Sequence, residues 1–353
     1  MTRMPEIAGH SIAPGGPLRV VAEIGLNHNG EAALAHRLVD ACADAGVFAI
    51  KLQVFDTEQL LVADAPAPAH VQAASLRAFF AQFELRPEAY AAIVRHARER
   101  GLAVVATAFD ASSVAMLDAL GIDAFKVASG DLTHAELIAD VSRSGRPVIL
   151  STGLSEEPDV ARAVGWARDA GAATLAVLHC VSAYPTPDDQ QNLRAVGTLA
   201  RTFDLAVGLS DHGMDSDAAL LAYAQGATLY ERHVHLPGTD AIDAPVSSTP
   251  AELAALVARL ARAHAAMGSG ARTPMDAERA NIVPSRRGLY ARRAIAAGDT
   301  IAGDAVIALR PAVGLDAAHV FDLVGLRAVR DLAEGAAFQP GDLAGKPGEP
   351  DAT

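Results

Sequence analysis

Aromatic side chains are scarce in this 353-residue chain, at 5% of the residues with a single Trp. A core must therefore be assembled mainly from Ala, Val, Leu and Ile. There are only two cysteines, Cys42 and Cys180, far apart and without CxxC spacing. That excludes a disulfide framework and fits a reducing cytoplasm. No run of 18 apolar residues occurs, so no membrane span is expected. Residues Met1 to Pro17 lack the charged-then-apolar order of a signal peptide. Positive charge is also short: 29 Lys and Arg stand against 42 Asp and Glu, for a net charge of −13. Such a balance repels a phosphate backbone and argues against nucleic-acid binding. It leaves room for a small anionic substrate, because a few placed Lys and Arg residues can set a local field.

What is present is a soluble globular composition, 51% hydrophobic and 20% charged, long enough for one large domain and a small one. Short apolar runs alternate with longer stretches of helical periodicity. Strands are expected at Leu18–Ile24, Phe48–Phe55, Leu102–Thr107, Ala124–Ala128, Pro147–Ser151, Thr174–Cys180, Ala206–Ser210 and Thr228–Val234. Helices are expected at Glu31–Ala45, Pro87–Arg100, Ser112–Leu120, Ala135–Ser144, Pro158–Ala170, Leu193–Thr202, Asp215–Gln225 and Pro250–Met267. Several of these helices end in Gly, the residue favoured at a left-handed C-cap. Eight such units in roughly 250 residues predict a (β/α)8 TIM barrel over 1–267. An open doubly wound sheet is the rival, but no GxGxxG follows the first strand. Residues 268–284 are rich in Gly, Ser, Thr and Pro and read as a linker. Residues 285–345, with short segments and frequent turn signals, read as a small β-rich module. Residues 346–353 read as a disordered tail.

A barrel places functional groups at the C-terminal ends of its strands. Polar residues stand there in this chain, and four are ions within buried strands: Glu23, Lys51, Lys126 and Glu231. Buried ions are costly unless paired or functional. Mutual pairing is the bland explanation for any one of them. It explains less well the whole set together with His212 and His233 on adjacent strands. Two lysines with nearby hydroxyls suit a phosphate and a carboxylate. Two neighbouring histidines could hold a divalent metal with open positions for substrate. Glu23 beside an anionic ligand could serve as a general acid or base. His10, His36, His70, His96, His264 and His319 read as surface or packing residues, and Cys180 as a small buried hydrophobe.

The motifs along these strand ends resemble the sialic acid (N-acetylneuraminate) synthase family. They are Ala22-Glu23-Ile24-Gly25-Leu26-Asn27-His28-Asn29-Gly30, Lys51-Leu52-Gln53, Phe125-Lys126-Val127-Ala128-Ser129-Gly130-Asp131, Leu150-Ser151-Thr152-Gly153, Leu178-His179-Cys180 with Ser182-Ala183-Tyr184-Pro185, Gly208-Leu209-Ser210-Asp211-His212 and Glu231-Arg232-His233. The terminal module resembles that family's antifreeze-like SAF domain, with Arg310-Pro311 and Gly314. The resemblance implies a transferase that condenses phosphoenolpyruvate with an N-acylated hexosamine of the N-acetylmannosamine type. The product would be a nine-carbon nonulosonic acid, with phosphate released. It further implies that His212 and His233 ligate Mn or Mg, which polarises the aldehyde, and that Glu23 is the acid–base residue. Lys51, Gln53, Thr107, Lys126, Ser129, Ser151, Ser182 and Ser210 would surround phosphoenolpyruvate. Asp131, Tyr184 and Asp243 would face the sugar, with Asp240 competing for the place of Asp243. Arg310 would reach the N-acyl group from the partner subunit of a domain-swapped homodimer. Asp131 stands where the N-acetylneuraminate enzymes carry Glu, and Ser182 where some carry Asn. Both departures fall near the sugar and leave open which nonulosonic acid is made.

Two other functions fit parts of the pattern. A synthase of seven- or eight-carbon keto-acids would use the same donor with a phosphorylated aldose, but would not need residues 285–345. A catalytically silent barrel, acting as a sugar-binding or assembly subunit, would be expected to lack Glu23, a lysine or a histidine of this set.

Overall fold

The computed structural model describes residues 5–66 and 75–345. The expected tail at 346–353 and His70 lie outside them. The chain forms two compact units, one running to Gly268 and one starting at Ser269.

In the first unit eight parallel strands close on themselves. They are β1 (Arg19–Glu23), β2 (Ala49–Val54), β3 (Ala103–Ala108), β4 (Ala124–Val127), β5 (Val148–Ser151), β6 (Leu175–Cys180), β7 (Ala206–Asp211) and β8 (Leu229–Val234). Each pairs with the next, and β8 pairs with both β7 and β1. An open doubly wound sheet would leave two edges, and this ring leaves none. The helices between and after the strands are α1 (Ala32–Asp44), α2 (Pro87–Glu99), α3 (Ala111–Leu120), α4 (Ala135–Arg143), α5 (Glu157–Asp169), α6 (Arg194–Phe203), α7 (Asp217–Ala224) and α8 (Pro250–Met267). Element ends differ from the sequence expectation by one or two residues, the usual fraying. Local chemistry sets several of these ends. Thr249 and Glu252 form a capping box at the start of α8, and Asp110 caps α3 through the Ser113 N–H.

Side chains alternate across each strand. One face, with Val20, Ala22, Ile50, Leu52, Val104 and Phe125, packs with helix residues such as Leu38, Ile93 and Leu117. The other face points to the barrel axis. Its lower members, including Val21, Ala49, Val105, Ile149 and Leu229, form a separate apolar cluster with Ile7 and Ile12. Ile7 lies in, and Ile12 directly follows, a short hairpin, Glu6–Ile7 with His10–Ser11, that closes this end. Paired strands of two residues are too short to register as a periodic pattern, and the sequence did not announce them.

Between β2 and α2 stand the helical turns Thr57–Leu60 and Leu76–Phe80. The second unit has antiparallel pairs β9 (Gly288–Ala291) with β10 (Val306–Leu309), and β11 (Arg327–Ala328) with β12 (Leu343–Ala344). Leu289, Ile301, Leu323 and Phe338 centre its core. The stretch expected as a linker contains two helical turns, at Asp276–Arg279 and from Ile282. Among the described residues, no helix is long and apolar enough to cross a membrane.

Candidate active site

Above the apolar plug, the inward positions of the same strands turn polar. Parallel register gathers them into one layer. Glu23 lies opposite Lys51 and His233, Thr107 opposite Gln53 and Lys126, and Glu231 opposite Ser210. Glu23, Lys51, Lys126 and Glu231 are each less than 5% exposed. Lys51 is ion-paired with Glu23, and its Nζ lies 2.7 Å from Glu231 Oε1. Lys126 Nζ lies 3.0 Å from that same oxygen, and Ser210 Oγ donates to it at 2.9 Å. Gln53 Nε2 donates to Glu23 Oε2 at 3.3 Å. Two cations and two anions cancel, which is what makes so many buried charges tolerable.

The three central ions are not equivalent. Burial would push the Glu231 carboxyl up, but Lys126 and Lys51 outweigh it and hold that carboxyl well below its usual range. Burial also penalises the Lys51 ammonium, yet Glu23 and Glu231 more than compensate and raise it. Lys126 has Glu231 alone within ion-pair distance and Lys51 as a like charge nearby; burial dominates, and its pKa is lowered. Lys126 is thus the cation an incoming anion would relieve most. Two hydroxyls in this layer are also unspent. Thr107 Oγ1 and Ser151 Oγ are buried with no hydrogen-bond partner among the described residues. An unsatisfied buried hydroxyl costs about 1–3 kcal/mol.

Lys51, Gln53, Lys126, Ser151, Ser210 and Glu231 of this layer line the floor of a cavity of about 800 Å3, with Glu23 and Thr107 held directly behind them. Ser129, Ser182, Tyr184, His212, His233 and Asp243 line it on the side of β4 to β8. Ser129 opens the turn after β4 and accepts the Gly153 N–H at 3.0 Å. A Cβ on Gly153 would stand 2.8 Å from that hydroxyl and collide with Ser182 as well, so the close approach requires glycine. The Tyr184 ring lies 4.1 Å from that of His212, which lies 5.3 Å from His233. Asn27 accepts the Asp243 N–H at 3.0 Å and donates to the Val234 carbonyl at 2.8 Å, which fixes the loop after β8. Asp243 Oδ2 comes to rest 3.1 Å from His233 Nδ1. Asp240 is exposed, with only its carbonyl engaged, by Asn29. Asp131 is half-buried in the turn after Ser129 but is not among the cavity-lining residues, and burial raises its carboxyl. Arg310 is exposed in the second unit.

The expectation of a Mn or Mg cofactor is corrected. Among the described residues, no group of three or more His, Cys, Asp or Glu side chains is arranged to hold a metal ion. Their places at the ends of neighbouring strands do bring the rings of His212 and His233 together. His212 Nδ1 faces the Val181 carbonyl at 3.2 Å, and His233 Nδ1 faces Asp243. The pair has no third His, Cys, Asp or Glu side chain in a metal-holding arrangement among the described residues.

Two features escaped the sequence reading. Cys180 is buried, but in the cavity wall, with its Sγ 3.8 Å from His212 Nδ1. Burial alone would raise the thiol; His212 and Lys126 reverse this and bring it down to about 6. The second feature is an apolar wall on the side of β1 to β3, built from Leu26, Phe55, Leu60, Leu76, Phe80 and Phe109. The scarcity of aromatics was the available signal, since many of the few Phe residues fall between 55 and 109.

Comparison with known proteins bears on this geometry. The model of the NeuB family matches residues 38–272, and that of the SAF domain matches residues 286–344. An N,N'-diacetyllegionaminic acid synthase of Campylobacter jejuni is 30% identical, covering 89% of this chain and 97% of its own. An uncharacterised protein of Methanocaldococcus jannaschii is 32% identical over 96% of this chain and 98% of its own. The crystal structure of a putative spore coat polysaccharide biosynthesis protein E from Chromobacterium violaceum superposes with a TM-score of 0.82. It is 30% identical, over 94% of this chain and all of that one.

Proposed function

Because the chain belongs to the NeuB family, we propose that its cavity joins phosphoenolpyruvate to an N-acylated hexosamine aldehyde of the N-acetylmannosamine type, giving a nine-carbon, sialic-acid-like keto-acid and phosphate. At the coarser level, the chain is a phosphoenolpyruvate-dependent transferase that forms a C–C bond and yields a keto-sugar acid. The observation that supports the donor assignment is the polar layer. Lys51 and Lys126 converge on one carboxylate oxygen beside the unpartnered hydroxyls of Thr107 and Ser151. A ligand with a phosphate and a carboxylate would satisfy all four.

In this reading Lys51, Gln53, Thr107, Lys126, Ser129, Ser151, Ser182 and Ser210 bind the donor. Its carbon 3 attacks the aldehyde carbon, and the aldehyde oxygen takes a proton and becomes a hydroxyl. Water adds at the donor's carbon 2, giving up a proton, and the C–O bond to phosphate then breaks as the new hydroxyl passes its proton to the departing phosphate and becomes the ketone. Glu23, held by Lys51 and Gln53 at the floor, moves these protons. His212 and His233 flank the aldehyde, with Tyr184, Asp131 and Asp243 toward the sugar. Arg310 of a second copy would bind the N-acyl group in a homodimer.

The test is phosphate release from phosphoenolpyruvate across a panel of N-acyl hexosamines, in chelated and in Mn2+-supplemented buffer alike, with product mass read in parallel. A nine-carbon keto-acid formed from one acceptor would support the reading. Turnover confined to phosphorylated pentoses or tetroses would replace it with the shorter keto-acid synthase.

A further inference from the structure

Along β8, Glu231 and His233 turn to the cavity, and the alternation of a strand sends Tyr230 and Arg232 to its opposite face. Arg232 is only 2% exposed. A guanidinium so deeply buried is costly unless its charge and its donors are spent. Here they are spent on three separate partners. Nη1 lies 3.3 Å from Asp211 Oδ2 at the end of β7 and donates to the Gly213 carbonyl at 2.7 Å. Nε donates to Ser248 Oγ at 3.1 Å. Asp211 is itself buried; it accepts the Tyr230 hydroxyl at 2.6 Å and, through Oδ1, the Gly213 N–H at 2.8 Å.

These contacts bracket residues that face the cavity. Asp211 and Gly213 stand on either side of His212 in the chain, so Arg232 and its carboxylate grip the backbone before and after that ring. Ser248 belongs to the two-residue strand Ser247–Ser248, which pairs with His233 and Val234. Ser247 Oγ donates to the Asp243 carbonyl at 2.7 Å and accepts from Asn27 Nδ2 at 3.0 Å. One side chain thus joins the segment that carries His212 to the strand that anchors Asp243. Neither Arg232 nor Asp211 is among the cavity-lining residues, so neither touches what the cavity binds.

We propose that Arg232 is a positioning residue: paired with Asp211, it sets His212 and Asp243 at the spacing the acceptor sugar requires and leaves the donor groups unaffected. The inference rests on the synthase reading, which places the acceptor between those two residues. The donor lysines are held by other means, since Lys51 and Lys126 pair with Glu23 and Glu231 inside the barrel. A lysine at position 232 would keep a positive charge beside Asp211. It would replace the planar fork, which reaches Gly213 and Ser248 from different nitrogens, with a single ammonium.

The experiment measures steady-state phosphate release for the wild type, Arg232→Lys and Ser248→Ala. N-acetylmannosamine, or whichever N-acyl hexosamine of the panel the wild type turns over, is varied at saturating phosphoenolpyruvate, and then the reverse. Ser248→Ala cuts one arm of the clamp and leaves Arg232 paired with Asp211, so it reports even where Arg232→Lys fails to fold. In Arg232→Lys, kcat/KM for the acceptor should fall by about 10- to 100-fold, the scale of a small misplacement of groups that orient a substrate. Ser248→Ala should show a smaller fall in the same direction. The KM for phosphoenolpyruvate should stay at the wild-type value in both. A residue serving only the fold would lower the unfolding midpoint and leave the constants of the folded fraction alone. Acceptor constants unchanged in Ser248→Ala, with Arg232→Lys either unchanged or unfolded, would therefore overturn the clamp and leave the synthase reading standing. So would a rise in the phosphoenolpyruvate KM as large as the acceptor loss. No release by the folded wild type with any acceptor of the panel would overturn the synthase reading, and the role of Arg232 with it.

Discussion

The lower and upper halves of the barrel interior are built from the same strands and the same inward faces, only two residues apart. β1 contributes Val21 and then Glu23, β2 Ala49 and then Lys51, β5 Ile149 and then Ser151, and β8 Leu229 and then Glu231. The backbone of a closed sheet is satisfied by its own ladder, so either kind of side chain is admissible inside. What differs is the boundary. Below, Ile7 and Ile12 pack with the lower layer, and hydrocarbon there needs no partner. Above, the strands run out into loops, and ions can be neutralised by one another and reached by a ligand. Fold and chemistry are thus stacked along one axis.

Substitutions one step apart should break that comparison in opposite ways. Glu23→Gln keeps the shape and the neighbours of the side chain but removes its proton transfer. We expect kcat of the folded fraction to fall by about 10²- to 10⁴-fold, with a loss of stability as well because Lys51 loses one of its two carboxylate partners. Ile149→Ala, one layer down, should cost about 2–5 kcal/mol of stability, read by denaturant unfolding, while the folded fraction keeps its kcat. If Ile149→Ala lost as much turnover as Glu23→Gln, the division into a structural and a chemical layer would be wrong.

A smaller effect sharpens the contrast within the upper layer. The pKa of Lys126 is lowered by burial, so its charge is disfavoured in the folded state relative to the unfolded chain. The stability contributed by this group is therefore gained as pH rises through that lowered value, but Lys126→Met also strips Glu231 of one of the two cations that hold it ionised, so some loss of stability is expected at neutral pH. The substitution should raise KM for phosphoenolpyruvate by about 10- to 100-fold, the worth of one hydrogen bond to a charged group. The wild-type KM should climb on the alkaline side as Lys126 loses its proton, and the variant should lack that climb. An unchanged KM in Lys126→Met would remove Lys126 from the donor site.

Much of this was legible in advance because each strand is apolar enough to be buried on both faces, and an ion in such a run stands out. Gly121, at φ +72° after α3, shows how a terminal glycine marks a helix end. The unread parts depend on contacts that local sequence does not encode. Asn27 fixes the Asp243 backbone from 216 positions away, which sets that carboxylate in the cavity wall while Asp240 is exposed. Phe55, Phe80 and Phe109 sit on separate segments, and each alone looks like ordinary core. The metal expectation failed for a related reason: strand order brings His212 and His233 together, but it does not say whether a third donor joins them, and none does among the described residues.

The two cysteines carry the smallest expected effect and the same lesson. Cys42 packs on the inner face of α1 among apolar residues, and burial pushes its thiol up to about 12. Cys180 ends β6 in the cavity wall, where His212 and Lys126 overcome burial and bring it down to about 6. Only the thiolate alkylates. Iodoacetamide should therefore label Cys180 alone at neutral pH, at a rate that rises with pH to a plateau around a midpoint near 6. Phosphoenolpyruvate should slow the labelling by filling the cavity beside Lys126. Mass mapping of the adduct checks all of this at once. Label on Cys42, or a midpoint near that of an ordinary thiol for Cys180, would mean that the cationic groups of the upper layer do not act on the strand end where the geometry puts them.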